Sequence, residues 1–83
     1  MLYSRITNYK VQNILKTEAK RLHTIQKLCL SLWFFDIETS TIMICTNYPG
    51  YWVGRYGENI KKIEEEIQKY EPSYKVALID CNF

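Results

Sequence analysis

The sequence predicts a small α+β domain in which a leading helix precedes two strands, a glycine-bearing loop, a second helix and a final strand. Two observations favour this class: apolar residues recur at helical spacing in two segments, and the remaining segments are rich in β-branched and aromatic residues. The chain has 83 residues, of which 47% are hydrophobic and 14% aromatic. This length and composition are typical of one globular domain, so we assign residues 1–83 to a single domain.

The charge and cysteine content exclude several classes of protein. Eleven Lys and Arg residues against nine Asp and Glu leave a formal net charge of +2, so any contact with nucleic acid must be local. Three cysteines and one histidine show no metal-ligand spacing, and we expect reduced thiols in a cytoplasmic protein. No apolar run is long enough to span a bilayer, so no membrane contact is expected. Catalytic groups are not clustered, so we predict neither enzymatic activity nor a cofactor.

The first 30 residues are predicted to form one amphipathic helix from about Ile6 to Leu30. Its apolar positions recur at helical spacing: Val11, Ile14, Leu15, Leu22, Ile25 and Cys29. Its basic residues fill much of the opposite face: Lys10, Lys16, Lys20, Arg21 and Lys27. Glu18 interrupts the apolar stripe, so two shorter helices are the alternative. The basic face either extends a nucleic-acid footprint or is simply solvated, which is the commoner case.

Residues 31–83 are predicted to hold the strands and the glycine loop. The segment Leu32–Glu38 is aromatic and partly alternating, and Thr41–Cys45 is β-branched and apolar, so the two are expected to form strands joined by a tight turn. The final strand is predicted at Tyr74–Cys81, after Glu71 and Pro72 end the second helix. Its near-continuous apolar character predicts a central, buried position in the sheet.

The functional prediction concerns the loop from Gly54 to Gly57. A helix is predicted directly after Gly57, with Ile60, Ile63 and Ile67 at helical spacing. Glycine at both ends of the loop allows a sugar-phosphate backbone to approach closely, and the N-terminus of a helix attracts phosphate. Between the glycines, Arg55 adds a cation and Tyr56 offers a ring on which a base could stack.

The segment Trp52–Ile63, WVGRYGENIKKI, resembles the signature of the K-homology (KH) family: an apolar pair, Gly-x-x-Gly, two residues and Ile on a helix. The order of elements, with a Pro-Gly pair at Pro49 before the loop, is similar to the type II arrangement of bacterial-type small-subunit ribosomal proteins. The resemblance implies the order α-β-β-α-α-β and a three-stranded mixed sheet. It also implies that the two core strands are parallel and that helices cover one face.

The resemblance further implies that the domain binds single-stranded RNA, or single-stranded DNA, in an apolar groove beside the loop. Val76 or Leu78 on the last strand would form the opposite wall of the groove. The residues expected at the site are Gly54, Arg55, Tyr56, Gly57, Trp52, Val53, Asn59, Ile60, Lys61 and Lys62. Among them Trp52 is of a type more often found in a core.

Two features depart from the usual pattern of the family. The loop has one basic residue where two are usual, and Glu64–Glu66 form an acidic block on the helix that follows. Acidic side chains repel RNA where they border a binding groove. The alternative prediction is therefore a domain of the same fold that binds a protein and not nucleic acid.

Overall fold

The computed structural model describes residues 2–82, which form an α+β fold. Within these residues no helix has the length and apolar composition needed to cross a membrane. The elements follow one another in this order: β1 (Tyr3–Ser4), α1 (Tyr9–Ile25), β2 (Ser31–Asp36), β3 (Thr41–Thr46), α2 (Pro49–Val53), α3 (Glu58–Gln68) and β4 (Lys75–Asp80). A single 3-10 turn, Arg55–Gly57, joins α2 to α3.

The described strands form one mixed sheet in the order β1-β2-β3-β4. The β1–β2 and β2–β3 pairs are antiparallel, and the β3–β4 pair is parallel. The prediction of three strands is wrong, because β1 adds a fourth at one edge. This strand pairs Tyr3 with Asp36 and Ser4 with Phe35. Two residues are too few to produce an alternating pattern, so the sequence gives no sign of β1.

The final strand, β4, lies at the other edge of the sheet and not in the centre, where its apolar sequence placed it. Among residues 2–82 it pairs with β3 only. The well-buried strand is β3, whose Ile42 and Ile44 are fully buried. On β4, Val76 and Leu78 are partly buried against the same core. Packing against α3 explains Val76 and Leu78, which lie beside the buried residues of β3. Ala77 and Ile79 lie on the opposite face of the sheet, beside Met43 and Cys45.

The core lies between the helices and one face of the sheet. Residues of β3 alternate between buried and partly exposed, which shows that helices cover one face. All three helices contribute side chains that are at most 5% exposed to this core: Val11, Leu15, Leu22, Trp52, Ile63 and Ile67. Burial of one large apolar side chain contributes roughly 1.5–3 kcal/mol to folding, so this cluster is the main stabilising contact between the two layers.

The leading helix is one continuous helix, and the two-helix alternative is wrong. Asn8 caps its start, because the side-chain oxygen accepts the backbone N–H groups of Lys10 and Val11 at 3.0 and 3.3 Å. Glu18, which interrupts the apolar stripe, stays in the helix because its carboxylate accepts two hydrogen bonds from Arg21, at 2.9 and 2.6 Å. The Glu18 carboxylate thus finds hydrogen-bond partners within the helix, which is why a continuous helix accommodates it.

Cys45 and Cys81 form a disulfide bond between β3 and the end of β4, so the prediction of reduced thiols is wrong for this pair. The parallel pairing brings them together, since the Cys81 N–H donates to the oxygen of Thr46 at 2.9 Å. Their separation of 36 residues leaves no local sequence signal. Cys29 is free and buried, as predicted. The predicted cytoplasmic location stays a prediction.

Candidate nucleic-acid interface

The Gly-x-x-Gly loop needs glycine at both ends, for two different reasons. Gly54 has a φ of +74°, and a Cβ atom there would lie 2.6 Å from the Cβ atom of Asn59. Gly57 has a φ of +73° but faces open space, so only its left-handed backbone favours glycine. The Gly57 N–H donates to the oxygen of Gly54 at 3.2 Å, which closes the turn. The loop is therefore a compact turn fixed against the start of α3.

Tyr56 stands at the tip of this loop in a conformation that packing does not explain. Its φ is 56° and its ψ is 25°, in the left-handed region that bulky residues rarely adopt. The side chain is 93% exposed, so it gains nothing from the core in return. The neighbouring Arg55 is also exposed. An aromatic ring and a cation are thus displayed side by side between the two glycines.

Asn59 fastens the loop to the rest of the protein. Its side-chain nitrogen donates to Glu18 Oε2 at 2.7 Å and to the backbone oxygen of Trp52 at 3.0 Å. The same nitrogen lies 3.4 Å from the oxygen of Tyr51. The sequence predicted Asn59 as a ligand contact, but its amide nitrogen is occupied by the protein itself. We therefore assign Asn59 the role of positioning α2 and the loop against α1.

Glu18, the acceptor of that bond, is held in its charged form. Burial alone raises the pKa of its carboxyl group, but hydrogen bonds from Arg21 and Asn59 and the charges of Arg21 and Lys62 outweigh burial. The net result is a pKa below the ordinary value for glutamate. A carboxylate that remains ionised keeps its full capacity to accept the Asn59 amide.

One flank of α3 faces α1 and forms an open cleft of about 610 Å³, here called the α1–α3 cleft. Its lining comes from both helices: Asn13, Ile14, Thr17, Glu18, Arg21, Asn59, Lys62, Ile63 and Glu66. Lys62 therefore belongs to this flank, where its charge acts on Glu18. The structure does not bring Lys62 together with β4, the wall that the sequence analysis expected for the binding groove.

The other flank of α3 faces the outer edge of β4, and we call the space between them the α3–β4 groove. Glu64 Oε2 accepts the N–H of Val76 at 2.8 Å, and Gln68 Nε2 donates to the oxygen of Tyr74 at 2.8 Å. Later residues of the helix thus meet earlier residues of the strand, so α3 and β4 run in opposite directions. One turn closer to the loop, this order places Ile60 opposite the next part of β4.

The walls of the groove near the loop are apolar. Ile60, Val76 and Leu78 are partly buried against the core. Val53 is half-buried at the end of α2, a helix that also contacts β4. Lys61 is exposed and precedes Glu64 by three residues, which puts it on the same flank of the helix. Seven of the predicted site residues, the four of the loop together with Val53, Ile60 and Lys61, therefore border one continuous surface.

Trp52 is not part of that surface, and its prediction as a site residue is corrected. Its side chain is 0% exposed, and its Nε1 donates to Ser31 Oγ at 2.9 Å. A ring enclosed in the core cannot contact a ligand. The preference of tryptophan for buried positions, noted from the sequence, was the signal that identified its actual role.

The acidic block of α3 does not act as one charged face. Glu64 turns to β4, Glu65 is exposed, and Glu66 pairs with Lys69 at 3.1 Å. Sequence reasoning missed Glu64 as a groove residue. Its position four residues after Ile60 was the available signal, because residues with that spacing lie on the same side of a helix.

Searches against profiles of protein families, curated proteins and solved structures returned no match to this chain. A function must therefore be inferred from the residues of the chain itself.

Proposed function

We propose that this chain is a type II KH-like domain that binds single-stranded RNA, and single-stranded DNA by the same chemistry. The binding surface is the loop Gly54–Gly57 together with the α3–β4 groove. One observation carries the proposal: an exposed cation and a 93% exposed tyrosine stand between two left-handed glycines, directly before an eleven-residue helix. Folding gains nothing from displaying these two side chains, whereas a polyanion with flat bases would bind both.

The phosphate backbone would bind at the loop. The first-turn N–H groups of a helix have no partner within the helix, and the helix dipole favours an anion at that end. At α3 the cap residue is Gly57, which makes no side-chain cap hydrogen bond. Arg55, two residues earlier, adds a charge-assisted donor at the same end. Neither glycine carries a side chain that would hold a sugar-phosphate chain away.

The bases would lie in the groove. Val53 and Ile60 offer an apolar wall, and Leu78 offers another on β4. Edge strands also present backbone N–H and C=O groups with which bases can form hydrogen bonds. The groove is narrow enough for helix side chains to reach the strand, as the 2.8 Å bond from Val76 to Glu64 indicates. This combination suits unpaired bases and not a duplex, whose bases are already stacked and paired.

The proposal is tested by replacing Arg55 and Tyr56 together with Asp. The variant removes the loop cation and puts two carboxylates where a phosphate must sit, so binding of a short single-stranded RNA should become undetectable. The matched control replaces Lys16 and Tyr9 with Asp, since both are exposed residues of α1 and the change in charge is the same. The control should retain RNA affinity within about threefold.

Both variants should remain folded, and thermal unfolding checks this. New negative charge beside the start of α3 is favourable by roughly 0.3–1 kcal/mol at an exposed site. Asp also tolerates the left-handed backbone of position 56 better than Tyr does. RNA affinity that is the same in the loop variant and the native chain, with normal unfolding in both, would refute the phosphate clamp.

A second candidate, a protein-binding domain of the same fold, is favoured by the face of the sheet opposite the helices. Leu32 on this face is 62% exposed, and the residues paired across from it and beside it are also apolar. An uncovered apolar face is a common feature of protein interfaces. If neither the native chain nor the control variant binds RNA, this candidate is favoured.

A further inference from the structure

Glu64 and Gln68 cap the outer edge of β4 at the far end of the α3–β4 groove. Glu64 accepts the Val76 N–H, and Gln68 donates to the Tyr74 oxygen. Both backbone groups point away from the sheet, because Lys75 between them donates its own N–H to Ser40 across the β3 side. The strand donor at Val76 is therefore already used, and a base in the groove cannot bond to it while Glu64 stays in place.

The second carboxylate oxygen of Glu64, Oε1, has no protein partner within residues 2–82. The side chain is half-buried and is fixed by the bond that its other oxygen makes. Glu64 lies six residues after the start of α3, about 9 Å along the helix axis. No buried polar side-chain atom of the described residues lacks a partner, so the unbonded Oε1 is open to solvent. A base of a strand clamped at the loop can reach that distance, which makes Oε1 an available acceptor beside β4.

The geometry points to Glu64 as the residue that sets base preference in this groove, in favour of cytosine and against uracil. The inference rests on the proposed function, since it concerns the same groove. A carboxylate only accepts hydrogen bonds, and the exocyclic amino group of cytosine is the donor that Glu and Asp side chains accept from. Uracil presents an oxygen at the same ring position, so two acceptors would face each other.

Occupation of the Val76 N–H strengthens this preference. In an uncapped edge strand that donor would be free to satisfy the O4 atom of uracil. Here Glu64 occupies the Val76 N–H with one oxygen and supplies a second oxygen as an acceptor. This part of the groove therefore offers hydrogen-bond acceptors and not that backbone donor. Capping also shields a sheet edge from pairing with other chains, and a purely protective role would leave base preference untouched.

The test compares labelled single-stranded hexamers of cytidine and of uridine, whose rings are of similar size but differ in these groups. Their dissociation constants are measured by fluorescence anisotropy for the native chain, Glu64→Ala and Glu65→Ala. The native chain should bind the cytidine hexamer about tenfold more tightly. In Glu64→Ala the acceptor is gone and the Val76 N–H is free, so the ratio of the two constants should fall to about one. Glu65→Ala loses the same charge from an exposed neighbour and should keep the native ratio.

The outcomes separate the inference from the proposed function. Equal ratios in Glu64→Ala and Glu65→Ala, with binding still abolished by Asp at positions 55 and 56, would overturn the inference alone. Failure of the native chain to bind either hexamer would overturn the proposed function and the inference with it. Thermal unfolding of Glu64→Ala should stay close to that of the native chain, because the freed N–H lies at a sheet edge where water can replace the carboxylate.

Discussion

Both flanks of α3 carry charged and amide side chains, but these side chains make different hydrogen bonds on the two flanks. In the α1–α3 cleft, Glu18 is bonded to Arg21 and Asn59, and Lys62 adds its charge to the same group. In the α3–β4 groove, Glu64 is bonded to backbone through one oxygen and keeps the other free. A side chain whose bonds are all made within the protein positions its neighbours, whereas one with spare capacity is able to bind a ligand.

The loop lies where the two flanks meet. Asn59 reaches from the cleft flank to the end of α2 and holds Trp52 in place through its backbone oxygen. Trp52 is 0% exposed, whereas Tyr56, four residues later in the chain, is 93% exposed. Two aromatic residues close in sequence thus have opposite environments: Trp52 packs in the core and Tyr56 is displayed at the surface.

The largest expected effect on stability comes from Gly54→Ala, which breaks the contact between the loop and the cleft flank. The added Cβ would overlap Asn59 at 2.6 Å and sit at a φ of +74°. We expect the free energy of unfolding to fall by about 2–4 kcal/mol, from overpacking and backbone strain together. Urea unfolding measures the loss.

The other two glycines are the controls for that variant. Gly57→Ala meets only the backbone cost of a positive φ, about 1–2 kcal/mol. Gly50→Ala meets neither cost, since its Cβ would face open space in helix α2, and should be neutral or slightly stabilising. Equal losses at positions 54 and 57 would mean that Asn59 does not pack against the loop.

A smaller effect is expected from acid, and it sharpens the contrast between Glu18 and the exposed glutamates. The pKa of Glu18 in the folded protein lies below its ordinary value of 4.5. Its ionised form therefore adds stability above that value, and the contribution is lost as pH falls through the lower folded value. The native chain should lose stability between neutral pH and about pH 3. We expect less than about 1 kcal/mol of this loss to be absent in Glu18→Gln, as for a partly exposed ion pair.

Denaturant unfolding of Glu18→Gln and the native chain across this pH range measures that contribution. The control is Glu65→Gln, because Glu65 is exposed on the same helix that Glu18 helps to hold. At neutral pH its free energy of unfolding should lie within about 0.5 kcal/mol of the native value, as for other exposed substitutions. A gap between native and Glu18→Gln that widens toward low pH would contradict the assigned direction of the pKa shift.

The features that the sequence analysis predicted correctly are those with a strong local pattern. The spacing of Ile60, Ile63 and Ile67 identified α3, and the two glycines identified the turn before it. The tight turn between β2 and β3 was also predicted, because aromatic residues on one side and β-branched residues on the other bracket a short polar segment. Each of these follows from the backbone preferences of neighbouring residues, which a single sequence contains.

The features that it missed depend on residues far apart in the chain. The edge position of β4, the bond between Cys45 and Cys81 and the amide of Asn59 against Glu18 all join segments at least 30 residues apart. Apolar residues indicate that the side chains of a strand are buried. They do not indicate whether the strand lies at the centre or at the edge of the sheet. The different environments of Glu64 and Glu65 likewise become visible only when β4 is placed beside α3.

The most direct test of the account is a heteronuclear NMR titration of the full chain with a short single-stranded RNA. If the groove flank of α3 is the binding surface, the largest amide shifts should fall on residues 54–62, with further shifts at Val76 and Leu78 on β4. Binding should weaken as salt rises, because phosphate contacts release counterions. Largest shifts on the basic face of α1, between Lys10 and Lys27, would contradict the account and move the binding surface to the leading helix.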